Sequence, residues 1–314
     1  MFTYVARRVP MALVTLVLVA LAVFTLMRMV PGDPALLMLG DTADVAQVAE
    51  QRQRMGLAEP LPVQFARWAG AVLQGDLGLS ITNQQPVGPL ILERFSVSAV
   101  IVLVAVLLAT LLAVPAGLIA AWKQNQPLDL AIVFVATLLL SVPSFWLGLL
   151  LLLAFGLQLG WFPVVGYLPM AQDFWGGAAY LVLPIVTLVM IETGAITRMS
   201  RASAIEVQQL EFVTHARAKG LPEWRVLVRH VLPNAFAPTL TLIGLVLGNL
   251  LGGIAVLETV FTLPGLGRLL VDGIFARDYP VVQGVLLFTA AIYVAVNLAV
   301  DLLYPLLDPR VTLQ

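Results

Sequence analysis

Cysteine is absent from this 314-residue chain, and lysine occurs only at Lys123 and Lys219. The first absence excludes disulfides, iron–sulfur clusters and thiolate zinc sites. The second excludes a Walker-type phosphate loop, because neither lysine is followed by Ser or Thr. Whatever energy the protein uses, it does not bind ATP through such a loop of its own. Charge of either sign is also scarce. Charged residues make up 11% of the chain, whereas a soluble domain carries about 25% to cover its wet surface. The net charge of -1 offers no basic surplus for nucleic acid. Histidine occurs twice, as His215 and His230, a spacing that matches no helical metal pair, and no HExxH accompanies them. Both read as polar interface residues, and no metal site is expected.

What the chain does have is apolar length: 60% of its residues are hydrophobic. A bilayer-spanning helix needs about 20 mainly apolar residues, and six stretches qualify: about 9–30, 96–122, 130–155, 180–196, 235–257 and 281–300. The first is too long for a signal peptide, and Arg28 and Pro31 follow it without a small-residue cleavage pattern. The chain is therefore expected to be an all-α integral membrane protein with both termini on one side. Arg7, Arg8, Lys123, Arg198, Arg201, Arg217, Lys219, Arg225, Arg229 and Arg310 fall on the side of the termini. The other side holds Arg52, Arg54, Arg67, Arg94, Arg268 and Arg277, spread over more sequence. By the positive-inside rule the termini are cytoplasmic. Trp161, Tyr167 and Trp175, in the 156–177 loop, suit a membrane interface. Pro115, Pro143 and Pro184 lie inside spans, where neighbouring helices can satisfy the carbonyls they free; at Pro143 the Ser141 and Ser144 hydroxyls could do so locally.

The cytoplasmic segment from Thr197 to Asn234 is far longer than a simple link requires. Val207, Leu210, Val213 and Ala216 recur at every third position, which predicts one helix face. Gly220 supplies the left-handed residue that ends a helix, and Pro222 sits where another can start. Trp224, Leu227, Val228 and Val231 predict a second apolar stripe, and Pro233 is expected to stop that helix. The sum is two short amphipathic helices joined by a glycine turn at the cytoplasmic face.

Here the residues resemble a known family. Ala216-Arg-Ala-Lys-Gly220, nine residues, His230, then Leu232-Pro233 is similar to the EAA loop of ABC importer permeases. The sequence departs from the pattern in having Thr214 at its Glu, His215 at its first Ala and His230 at its Ile; the form Thr-x-Ala-Arg-Ala-Lys-Gly resembles the dipeptide, oligopeptide and nickel branch. Pro31-Gly-Asp-Pro34, Gly75-Asp-Leu-Gly-Leu-Ser80, Leu159-Gly-Trp-Phe-Pro163, Pro264-Gly-Leu-Gly-Arg268, Arg277-Asp-Tyr-Pro280 and Asp301-Leu-Leu-Tyr304 with Asp308-Pro-Arg310 fit the same branch, on the topologically correct sides. The chain most resembles the first, B-type permease subunit of a peptide, glutathione or nickel importer.

The resemblance implies a type I importer fold of six transmembrane helices in a bacterial inner membrane. Residues 1–94 would form the first helix and a large external loop, 95–304 the transmembrane domain with its coupling loop at about 197–234, and 305–314 a tail. It implies a second homologous permease, one or two kinds of ABC ATPase, an extracytoplasmic binding protein and membrane lipid as partners. ATP and Mg would be bound by the ATPases, and this chain would bind no cofactor and catalyse nothing. Thr214, Ala216, Arg217, Ala218, Lys219, Gly220, Leu221, Leu232 and Pro233 would couple to the ATPase. Gly220 would be its turn, the small residues would allow close approach and the basic ones would steer the partner.

Three charges near span ends are candidates for the pathway or an interface. Glu192 is costly inside a membrane and is expected either to line a path or to pair locally with Arg198. Arg28 is expected to snorkel to the headgroups or pair at a subunit interface, and Asp301 to face an interface. An ion-coupled carrier would need mid-membrane charges and often internal repeats; only Glu192 qualifies. The acids of the first external loop show no paired spacing with a nearby His, which argues against a hydrolase.

Overall fold

The computed structural model describes residues 2–29, 32–40 and 43–307. Pro31 and the Asp308-Pro-Arg310 motif, with Arg310, lie outside the described residues. Fourteen α-helices form among them: α1 (Phe2–Met29), α2 (Pro34–Leu39), α3 (Val45–Arg54), α4 (Leu61–Leu73), α5 (Val87–Trp122), α6 (Pro127–Ser141), α7 (Ser144–Leu151), α8 (Phe174–Gln208), α9 (Glu211–Ala218), α10 (Glu223–Val226), α11 (Leu232–Gly253), α12 (Ala255–Val260), α13 (Leu266–Phe275) and α14 (Tyr279–Leu307). Two π-helical stretches, Leu152–Gln158 and Leu227–Val231, extend α7 and join α10 to α11.

Five helical rods are long and apolar enough to cross a bilayer, and the pair α6–α7 makes a sixth. That third span is not the straight rod expected over 130–155. It bends by 97° between Ser141 and Ser144. Pro143 disfavours helical geometry at Val142, whose ψ of 126° is extended. Ser141 turns its hydroxyl back to the Thr137 carbonyl, 2.9 Å away. Pro115 and Pro184, by contrast, sit inside continuous helices. The second and fourth spans are also longer than their apolar cores. α5 starts at Val87, so Glu93 and Arg94 belong to a helix and not to the external loop; α8 carries on through Arg198 and Arg201 to Gln208.

Lipid removes much of the hydrophobic drive for helices to associate, so close approach of small residues must supply it. α5 and α8 meet at Gly117, where a β-carbon would collide with Ser200 and the Thr197 carbonyl. The Ser200 hydroxyl donates to the Val114 carbonyl across this contact, at 3.3 Å. Gly194 of α8 lies against the α6 backbone at Ala136. On α11, Gly244, Gly248 and Gly252 form a stripe at four-residue spacing that receives Val300, Tyr293 and Thr289 of α14. α14 in turn carries α1, fastened at the cytoplasmic end by Arg8–Asp301 at 2.8 Å. Asp301 is thus paired within its own chain, with its side chain still partly accessible.

On the external side three sequence motifs converge. The Ser80 hydroxyl and the Thr82 N–H (3.1 Å) donate to buried Asp278, and a β-carbon on Gly32 would touch Tyr279. Phe24, Phe65 and Trp68 stack with centroids 5.4–6.0 Å apart, holding α4 against the end of α1.

Candidate coupling hairpin and charged sites

The cytoplasmic hairpin is built from two short helices seated on the membrane body. Leu210 is extended (ψ 145°), so α8 ends at Gln208 and α9 starts afresh at Glu211. The stripe from Val207 to Ala216 is therefore not one helix face. Val207 closes α8, Leu210 is exposed, and only Val213 and Ala216 bury the inner side of α9. Gly220 has φ +76°, the left-handed turn expected of it. Pro222 is extended (ψ 142°) ahead of α10.

The inner face of the second arm also differs from the heptad-like reading. Val226, Leu227 and Val231 are buried, whereas Trp224 (60%) and Val228 (55%) are exposed. The π stretch over Leu227–Val231 adds a residue to the turn and shifts the apolar register. Pro233 does not stop the helix. It occupies the first turn of α11, where a missing N–H is tolerated, and the rod runs on into the membrane. Asn234 donates to the His230 carbonyl at 2.8 Å beside the proline.

Val213, Ala216, Val226, Leu227 and Val231 all belong to the main core, so the hairpin is rooted and not tethered loosely. Ala216 faces inward and is no contact residue, contrary to its sequence reading; Leu221 and Leu232 also pack partly against the core. Arg217 is not free to steer a partner either. Its Nε donates to Glu223 Oε1 at 2.9 Å, and a second nitrogen reaches Glu223 Oε2 and Gln208 Oε1, each at 3.3 Å. This fork clamps the two arms across Gly220. Thr214, His215, Ala218, Lys219, Gly220 and Pro233 are exposed, with Phe212, Trp224, Val228 and an Arg225 stacked over Trp224 at 5.3 Å. The outer face is thus apolar and basic, and open.

The remaining sequence candidates separate. Glu192 lies mid-way along α8, half-buried, with no pairing to Arg198, which sits six residues on and turns away from it. Arg28 lies at the external end of α1 with its guanidinium 5.0 Å from the Phe24 ring centroid. No structural element brings Glu192, Arg28 and Asp301 together.

Two buried carboxylates escaped the sequence reading, and a third lay within the Arg277-Asp-Tyr-Pro280 motif without a role. Asp129 is 1% exposed, and takes a bidentate pair from Arg201 (2.6 and 2.8 Å) plus the Asn125 N–H at 2.9 Å. It ties the 123–126 turn to α8. Glu258, also 1% exposed, accepts from the Ser98 hydroxyl and from the Arg268 N–H at 2.8 Å, capping α13. Ser98 itself accepts from the Leu266 N–H at 2.8 Å. This explains Pro264-Gly-Leu-Gly-Arg268: a β-carbon at Gly265 would overlap the Glu258 carboxylate, and one at Gly267 would strike the Ala255 backbone. Asp278 is the third. The glycine motif was visible in the sequence; the buried acid it packs against was not.

Six candidate membrane spans with a hairpin rooted in the core define a polytopic, all-helical membrane protein. Residues 113–313 match the family model for the binding-protein-dependent transport system inner membrane component, and residues 1–102 match the N-terminal model of such membrane components. The chain belongs to this family, the ABC importer permeases of the type I fold, in the bacterial cytoplasmic membrane. It is 40% identical over 99% of both chains to a putative peptide transport system permease protein of Brucella suis. It is 35% identical to the oligopeptide transport system permease protein AppB of Bacillus subtilis, and 39% identical to the glutathione transport system permease protein GsiC of Escherichia coli, again over 99% of both chains.

Proposed function

We propose that this chain pairs with a second, homologous permease to enclose a path for peptides into the cytoplasm. The observation that carries the reading is the exposed apolar and basic outer face of a hairpin rooted in the core. Such a face suits an ATPase surface. Closure of two ATPases on ATP would draw the hairpins of the two permeases together and swing the path from inward-open to outward-open, a rigid-body switch biased by nucleotide. A loaded binding protein would deliver cargo on the external side. ATP and Mg would reside on the ATPases, and this chain would contribute no covalent chemistry. The peptide assignment follows the relatives named for peptides and oligopeptides; glutathione or a nickel chelate is the alternative cargo.

The test is reconstitution of the chain with its co-encoded second permease, ATPases and binding protein in proteoliposomes. ATP-driven uptake of a di- or oligopeptide that ceases when the ATPase is omitted is the expected result. Uptake driven by an ion gradient without the ATPase would replace this reading with a secondary carrier. Uptake confined to glutathione or a nickel chelate would reassign the cargo.

A further inference from the structure

We infer that the cavity between α5 and the start of α13 is a carboxylate-binding subsite for the incoming peptide. The inference deepens the peptide-permease reading and rests on it. The cavity measures about 270 Å³ and is lined by Arg94, Pro264, Gly265, Arg268, Leu269 and Asp272. It lies two turns into α5 from Val87, on the external side from which a binding protein would deliver cargo.

Its charge is uncommitted. Arg268 lies 3.8 Å from Asp272, beyond hydrogen-bond reach, and Asp272 is mostly exposed. Arg94 has no ion pair among the described residues, and its Nε–H is buried without an acceptor. A buried donor on a cation is costly to leave unmade and is satisfied best by an anionic oxygen. The nearest buried acid does not serve it. Glu258 spends its oxygens on the Ser98 hydroxyl and the Arg268 N–H. Glycine at 265 keeps the wall low, since a side chain there would overlap Glu258. What remains is a guanidinium with a buried, open Nε–H at a small polar cavity, beside a second guanidinium with one weak partner. A planar carboxylate on one terminal residue fits both the chemistry and the volume; a whole oligopeptide does not fit the volume. Every free-acid peptide carries such a group whatever its sequence, so the subsite would recognise the cargo class without selecting side chains.

The test uses the assembled importer in lipid nanodiscs without binding protein, probed by equilibrium dialysis with radiolabelled trialanine and trialanine amide. The wild type is expected to hold the acid about tenfold more tightly than the amide, the size of one charge-assisted bond. Arg94→Gln should reduce the acid to the level of the amide, and Arg94→Lys should recover part of the difference. Equal binding of acid and amide by the wild type, binding of neither, or unchanged acid preference in Arg94→Gln would overturn the subsite. A second arm measures docking of unloaded binding protein. If Arg94→Gln weakens that docking while acid and amide bind alike, the arginine serves an acidic side chain of the binding protein, and the cargo assignment fails. ATP-driven uptake is measured on the same purified importer reconstituted in proteoliposomes, so failure of the permease reading appears there and not in the dialysis.

Discussion

Gly220 shows how far a single residue can be read from sequence. Its left-handed conformation is a local property, and glycine between two apolar helical runs announces it. The structure adds that a β-carbon there meets nothing within 4 Å. Substitution therefore carries only backbone strain, on the order of 1 kcal/mol, and no clash. Gly220→Asp should consequently insert and assemble at near wild-type yield and still meet the binding protein. ATPase activity stimulated by loaded binding protein, and uptake, should be lost. Normal uptake by a well-assembled Gly220→Asp complex would remove this turn from the coupling surface. Asp129 and Arg201 illustrate the opposite limit. The partners stand 72 residues apart, so no local pattern links them, and Arg201 reads from sequence as one more cytoplasmic cation. Removing either member would strand a buried charge, a far greater cost than losing an exposed pair.

At the scale of elements, hydropathy locates helices better than it ends them. Charged Glu93, Arg94, Arg198 and Arg201 mark the limits of apolar windows, yet α5 and α8 run through all four. Intrahelical hydrogen bonding does not require lipid, and a helix continues into water until a residue such as Leu210 leaves helical geometry. The π stretch before Pro233 was equally hidden, because an inserted residue changes register without changing composition. Gly244, Gly248 and Gly252 also went unread: their four-residue spacing acquires meaning only from the helix they receive. Their packing gives a direct expectation. Gly248→Leu would drive a side chain into the Tyr293 ring and part α11 from α14. Overpacking of this kind costs about 1–3 kcal/mol or more. The thermal midpoint of the purified complex should fall, and less of the chain should copurify with its partners. Gly248→Ala should fall between. An unchanged midpoint for Gly248→Leu would show that the two helices do not pack through this stripe.

For the whole molecule, composition gave membrane residence, and the placement of apolar runs and of Lys and Arg gave six spans and an expected orientation. The 97° bend of the third span was not visible, because Pro143 reads the same in a kinked helix as in a broken one. Orientation is open to a direct check. The chain lacks cysteine, so single cysteines can be introduced without a background. Those at Asn125 and Thr214 should react with an impermeant maleimide only from the cytoplasm, and one at Gln84 only from outside. External labelling at 214 would invert the molecule and place the hairpin out of reach of any ATPase.

The passage of the helix through Pro233 has a mechanical consequence. From Glu223 to Gly252 the backbone is one continuous helical span, through a π stretch at Leu227–Val231 and past Pro238, about 45 Å long at 1.5 Å per residue. The Arg217–Glu223 fork removes play at its outer end. A lever of that length magnifies: a tilt of about 10° at the fulcrum displaces the far tip by roughly 8 Å. Had the proline ended the helix, a slack joint at the membrane surface would have absorbed the stroke. Instead the same residue sits in the first turn of α11, and a force received at the hairpin passes along a continuous helix to the glycine stripe that α11 presents to the last helix.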